Sequence, residues 1–467
     1  MKPTHPILTG GALVMAVAAT VFAQDLPFSQ AGTGQPPSPP KPAPAPAAPA
    51  PVAPPAPAPT APPAPAPQPE TIDSFFTQSL PEAFTKGKFN INVRTRYEYV
   101  TQANLPEDSN ALTVRTRFGF TTAPLYGFQG MIEGENITAI GGENHYNAAG
   151  SNNQPIRPVV ADPVTTELNQ AWLGYSTSFD STKLSAKLGR QQINLDNQRF
   201  VGDVNWRQNM QTMDAATASA EVVKGLELYY GYVWDVHRVY GNVDGLPAAN
   251  RDFDSNSHLI NVSYNGCPYG RLVGYTYLLD LKNAAGPNNS CATYGAYFAG
   301  YTPASDKIML GYRAEFAWQT DYAESTLSYG TEYYNLELSA AMDAFALGAG
   351  YEVLGSDNGV SFRTPLATLH AFNGWADQFL TTPPNGLRDL YAFAQYILPA
   401  NIPLRAVYHT YEADRLGADY GQEWDFVASK KFGKNWTVLL KYAYFNGQTA
   451  PTAPDVQKVW AQVEFNF

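Results

Sequence analysis

From Lys88 to Phe467 the side chains alternate between apolar and polar with a period of two. In Lys88 to Val100 one face reads Phe89, Ile91, Val93, Thr95, Tyr97 and Tyr99, and the other Asn90, Asn92, Arg94, Arg96 and Glu98. Successive side chains of a strand point to opposite sides, so such a segment separates water from an apolar phase. The next segment repeats the pattern, with Leu112, Val114, Phe118 and Phe120 opposed to Arg115 and Arg117. Ile308 to Trp318 does so around Arg313 and Glu315, Trp436 to Tyr444 around Lys441, and Val459 to Phe467 around Gln462 and Glu464.

About 18 such segments start near residues 88, 111, 125, 166, 182, 213, 226, 257, 271, 292, 306, 332, 344, 389, 403, 422, 436 and 457. Their connectors alternate long and short: 101–110 then 122–124, 140–164 then 179–182, 194–212 then 223–225, 355–388 then 399–403. A barrel that crosses a membrane requires this alternation, because its periplasmic turns are short and its outer loops long. No apolar run after the N-terminus reaches the roughly 18 residues of a spanning helix. The pattern therefore predicts an all-β fold, a transmembrane antiparallel β-barrel of about 18 strands over 88–467, in the outer membrane of a Gram-negative-type envelope. Its outer face would contact outer-membrane lipid, and its amphipathic last strand, ending on Phe467, would be handed to the barrel assembly machinery. The 29 Tyr, many near strand ends, suit the headgroup level of such a membrane.

The residues before 88 divide into three. Residues 1–23 read as a signal peptide: Lys2 and His5 precede the apolar Ile7 to Ala23, with Val21 and Ala23 at the −3 and −1 positions. Residues 24–70 include Pro36 to Pro69, with 18 Pro in 34 residues. Such a stretch has no core to bury and stays disordered and extended, reaching roughly 105 Å at ~3.1 Å per residue. It reads as a spacer in the periplasm, or as a contact with the cell wall or a periplasmic partner. Residues 71–87 predict a short amphipathic helix broken at Pro81.

Several functions are excluded. A net charge of −11 speaks against nucleic acid. Two Cys and six scattered His leave no disulfide scaffold and no zinc or His-rich centre. Asp252, Asp254 and Asn256 have the opening spacing of a calcium loop, but Ser257 and Ser263 stand where Gly and Glu are needed. His237 and His258 have Asp and Ser nearby without a catalytic motif, so we expect no enzyme, no cofactor and no metal. Cys267 falls in a short turn and Cys291 ends an outer loop, with Arg271 to Leu281 between them. That strand spans roughly 36 Å, which predicts two unpaired thiols, with Cys291 open to reagents from outside.

At LGRQQINLDNQRFVGDVNWRQNMQTMDA (Leu188 to Ala215) the chain resembles the alginate-export family of porin-like outer-membrane barrels. YRAEFAWQTDY (Tyr312 to Tyr322) and TPLATLHAFNGWADQFLTTPPNGLRDLY (Thr364 to Tyr391) extend the resemblance. It implies a barrel of about 18 strands that passes polar or anionic molecules. Alternatives are a dedicated alginate-like polysaccharide exporter, and a plugged, non-conducting barrel tethered by its Pro-rich arm.

Charge then selects the lumen residues. Arg94, Arg96, Arg115 and Arg117 project from two neighbouring strands, with Glu133 and Glu135 on the third and Arg313 and Glu315 further on. Around a wet pore they either set anion preference across a transverse field or form a network that stiffens the wall. The barrel's own balance is −10, yet many of its acids, Asp162 and Asp203 among them, fall in outer loops, so the lumen can still be basic. Two long loops carry aromatic and charged residues together: Asn194 to Thr212 with Arg199, Trp206 and Arg207, and Gly355 to Arg388 with His370, Trp375, Asp377 and Arg388. Loops of this length and apolar content are functional, as an inward constriction or an outer cap.

Overall fold

The structure is a computed structural model that describes residues 71–180, 182–243, 246, 248–282, 287–448 and 454–467. The expected signal peptide and the Pro/Ala-rich segment lie outside the described residues. Eighteen antiparallel strands form one closed barrel. The first six are β1 (Lys88–Gln102), β2 (Ser109–Thr121), β3 (Phe128–Ala139), β4 (Thr165–Phe179), β5 (Thr182–Gln191) and β6 (Thr212–Val223). Next come β7 (Leu226–His237), β8 (Asp252–Cys267), β9 (Gly270–Leu279), β10 (Cys291–Ser305), β11 (Ile308–Asp321), β12 (Gly330–Met342) and β13 (Phe345–Leu354). A small hairpin, β14 (Ser356–Asp357) and β15 (Val360–Ser361), lies in the following loop. The wall resumes with β16 (Leu387–Leu398), β17 (Ile402–Glu412), β18 (Asp419–Phe432), β19 (Trp436–Gly447) and β20 (Val456–Asn466).

Each wall strand pairs with the next, and β20 pairs with β1 from Asn92↔Asn466 to Gln102↔Val456, so no edge is left open. The period-two pattern fixes the faces. Phe118, Leu173, Leu188, Phe316, Leu338 and Leu440 are exposed on the outside, while the inward Arg94, Arg96, Arg115 and Arg117 are buried. The three segments with the faintest alternation, near 166, 213 and 292, are the strands β4, β6 and β10.

Short turns gather at the end that holds Lys88 and Phe467, which is the periplasmic end of such a barrel. The longest connections, 140–164, 192–211 and 355–386, gather at the other end and turn inward. Val201 and Leu366 form a parallel bridge between the second and third of these. Phe200 packs between the wall and the third loop, 5.3 Å from Tyr275, 5.2 Å from Tyr333 and 5.9 Å from Phe362. One buried apolar cluster then joins Tyr146, Phe200, Trp206, Phe362, Phe379 and Trp460 across the outer half of the lumen. Residues of both loops pack against the inward faces of wall strands.

Two expectations need correction, the break at Pro81 and the exposure of Cys291. Pro81 does not break the helix, which runs through Ile72–Ser74, Phe75–Ser79 and Leu80–Thr85. A π turn, closed by the Leu80 N–H on the Phe75 carbonyl, places Pro81 at the start of a new turn, where its missing donor is not required. Asp252, Asp254 and Asn256 lie along the outward face of β8, extended rather than wound into a calcium loop. Cys267 and Cys291 are both free, but Cys291 is fully buried in the packed lumen, not open to the outside.

Candidate functional site

Closure of β20 on β1 assembles the charged wall. Arg94 Nε lies 3.1 Å from Glu464 Oε2, 370 residues away in sequence, and Arg115 lies 3.3 Å from the other oxygen of the same carboxylate. Arg96 donates twice to Gln462 Oε1, at 3.0 and 2.8 Å. Arg117 pairs with Glu135 beside it, so these charges neutralise neighbours instead of facing one another across the channel. Glu133 accepts from Asn169 at 2.7 Å and Gln170 at 3.2 Å.

The 192–211 loop docks on this wall. Its Asn205 carbonyl accepts from Arg94 at 2.8 Å, and its Asn205 Oδ1 accepts from Arg115 and Arg117, each at 2.9 Å. Trp206 lies under the Arg96 guanidinium at 4.2 Å. Arg207 reaches Glu98 at 3.1 Å and Asp377 at 3.0 Å, linking β1 to the 355–386 loop. Burial opposes the Arg207 charge, but Glu98, Asp162 and Asp377 outweigh it and raise its pKa above the ordinary arginine value. At the far end of the loop, Arg199 bonds Glu352 at 2.9 Å and Asn373 at 3.0 Å. Asp196 accepts from Asn261 at 2.7 Å and from the Tyr297 hydroxyl at 2.9 Å, which pins the loop to the opposite wall.

The 355–386 loop meets it from across the lumen. His370 stacks on Trp206 with rings 4.3 Å apart and 4° from parallel. Its Nδ1 is 2.6 Å from Asp377, and its Nε2 accepts from Lys441 Nζ at 2.7 Å, the arrangement of a neutral imidazole. Burial holds its pKa well below the usual histidine range. Burial alone would raise the Asp377 carboxyl, but His370, Lys458 and Arg207 outweigh it and hold the group well below the usual range. The backbone N–H groups of Trp375 and Ala376 donate to Asp425 at 3.1 Å and to Glu423 at 2.6 Å on β18. Gly374 makes that approach possible: at its φ of 86° an added Cβ would lie 2.3 Å from the Tyr411 hydroxyl.

Below the loops, toward the short turns, the lumen holds a cavity of about 150 Å³ between the 355–386 loop and strands β11 to β19. Tyr333, Tyr391, Phe372 and Trp375 line it with Arg313, Arg405 and Lys441. Arg313 is held by Glu315 at 2.7 Å and lies over Tyr297. Arg405 stands over Phe393 at 4.2 Å and, among the described residues, forms no side-chain hydrogen bond or ion pair. Lys441 Nζ sits 3.7 Å from the Trp375 ring and 4.3 Å from Trp206, with no carboxylate within 4 Å among the described residues.

The sequence-selected residues thus converge, except two groups. Arg388 belongs to β16, where its side chain pairs with Asp414 at 3.2 Å on the outer rim, because the strand begins two residues earlier than expected. Arg313 and Glu315 bond each other, and Arg313 lines the cavity rather than the contact between the two loops. Asn205, Asp162, Arg405, Lys458 and Glu464 belong to the site without having been singled out. Alternation places the strand residues on the lumen face, but only the closing register brings 458–464 beside 94–98. His237 and His258 point outward, to Asp214 at 3.1 Å and Tyr230 at 2.9 Å.

The family described as alginate export matches residues 86–352. The curated proteins hold no match to the chain. Among solved structures, the fold is similar to OccK3 (OpdO) of Pseudomonas aeruginosa at 12% identity, covering 84% of this chain and 99% of that one, with a TM-score of 0.61. OpdK of Pseudomonas aeruginosa, solved with vanillate, aligns at 11% identity over 82% and 99% of the two chains, with a TM-score of 0.63. OccAB2 of Acinetobacter baumannii gives 12% identity, 83% and 99%, and 0.63. With more than half its length matched and its strands closed into a porin-like barrel, the chain belongs to the alginate-export family and is an outer-membrane channel protein.

Proposed function

We propose that this channel passes small anionic solutes of the saccharide or uronate kind. The observation that carries the reading is Arg405, a guanidinium on the cavity wall that no carboxylate of the described chain neutralises. A guanidinium offers paired donors to a carboxylate, and Tyr391, Phe372 and Trp375 beside it supply faces on which a sugar ring can lie. Lys441, in register with Val427 and through it with Arg405, gives a second cationic position two strands along, about 10 Å away. In this reading the arginines at 94, 96, 115 and 117 seat the 192–211 loop, and Arg405 and Lys441 meet the solute.

The test is reversal potential across a planar bilayer under a salt gradient. Arg405→Gln should move it toward cations while the barrel keeps its heat-resistant mobility. An unchanged potential would remove Arg405 from the permeation path. A plugged barrel is the second reading, favoured by the apolar cluster that fills the outer half of the lumen. It expects no conductance in the wild type.

A further inference from the structure

The helical run before β1 leaves an apolar face uncovered. Ile72 is 79% exposed and Phe76 61% exposed, while Ala83, a helical turn or two further on, is buried against the barrel. The run is fixed at its C-terminal end. The Ala123 N–H, in the turn between β2 and β3, donates to the Ala83 carbonyl at 2.8 Å, and Phe84 stacks on Phe120 at 6.2 Å and 5°. Phe120 belongs to the outward face of β2, as Phe118 does, and Phe89 of β1 lies 5.7 Å from Phe118 and 5.1 Å from Phe120. Phe84, Phe89 and Phe118 are all more than half exposed. The aromatic patch is therefore on the lipid side of the wall, at the rim that carries the short turns.

We propose that Ile72–Thr85 is an in-plane anchor that lies in the periplasmic leaflet, its uncovered face occupied by phospholipid acyl chains. Three observations select that occupant. Ile72 and Phe76 are exposed on the same short run as Phe84, which stacks on Phe120 in the lipid-facing band of β1 and β2. Asp73, Thr77, Gln78 and Glu82, all exposed, stand between those apolar residues at helical spacing, as on a helix that floats at an interface. Lys86, paired with Glu82 at 3.1 Å, and Lys88 then place two cations at the level of the lipid phosphates. An aqueous location would leave this apolar surface against water, at about 25 cal/mol for each Å².

The test uses the full mature chain in phospholipid vesicles, with Cys267→Ser and Cys291→Ala as background. Ile72→Cys, Asp73→Cys, Phe76→Cys and Gln78→Cys are spin-labelled one at a time. Heat-resistant mobility of each variant establishes that the barrel has folded. Labels at 72 and 76 should collide several-fold more with dissolved oxygen than with a water-soluble nickel chelate, and labels at 73 and 78 should show the reverse. Equal access to the chelate at all four positions would overturn the anchor. So would dipolar broadening between labels at 76, which would identify a second copy of the chain as the occupant.

Discussion

Two walls of the same lumen carry comparable charge and use it differently. On the β20–β1–β2 side, Arg94, Arg96 and Arg115 are at most 3% exposed, and they bond Glu464, Gln462, Asn92 and Asn205. On the β17–β19 side, Lys441 is bonded to His370, but Arg405 faces a cavity lined by aromatic rings and by Glu337, Glu352 and Asp389, with no carboxylate of the described residues within ion-pair distance of it. An arginine count therefore measures the lumen's chemistry poorly. A charge whose partners are built into the wall fixes shape, and a charge without one is available to a solute.

The largest effect should come from removing the inward loop. Deleting Phe362 to Pro384 should raise single-channel conductance at least about twofold, since the constriction widens. Unchanged conductance would mean that the loop does not restrict flow.

Next is the contrast itself. Replacing Arg94, Arg96, Arg115 and Arg117 with Ser should destabilise the docked 192–211 loop, seen as noisy, enlarged openings. The Arg405→Gln variant should shift selectivity without adding noise. Losing one partner of a buried ion pair costs about 3–5 kcal/mol. A quiet channel with altered selectivity from the quadruple variant would reverse the assignment of the two walls.

Acid sharpens the comparison at the inter-loop contact. A carboxyl held below its unfolded pKa stabilises the docked state above the unfolded value and loses that contribution as pH falls through the docked one. Asp377 is such a group, so the loops should stay docked from neutral pH through mild acid and loosen only below the ordinary carboxylate range. Asp377→Asn should show the loosened gating at pH 7, when channel closures are counted against pH.

The smallest effect concerns Cys291. Fully buried, it should not react with a membrane-impermeant maleimide on intact cells, whereas Cys267, partly exposed at the periplasmic end, should react after lysis. Labelling of Cys291 on intact cells would mean that the outer half of the lumen is loosely packed.

The wall was legible in the sequence because a strand's faces depend only on neighbours two residues apart. Most strand starts fall within three residues of those expected, and even β10, one of the faintest, begins within a residue of its expected start. The larger miss, β8, begins at Asp252 because acidic residues there continue the ladder with His237 on β7. The site was less legible. Arg94 and Arg96 could be placed on the inner face, but their partners Glu464 and Gln462 could not, since closure pairs residues more than 360 positions apart. The docking of Trp206 on His370 depends on two loops from opposite parts of the chain, and no local pattern encodes that meeting.

The closing seam has a consequence for biogenesis. Glu464, on the strand that closes the barrel, is the carboxylate that pairs with Arg94 and Arg115, and those two arginines also hold Asn205 of the 192–211 loop. A wall that has not yet joined its ends lacks the carboxylate for both guanidinium groups, and its loop keeps only part of its anchorage. Closing the barrel and completing the seat of this loop thus draw on the same residues.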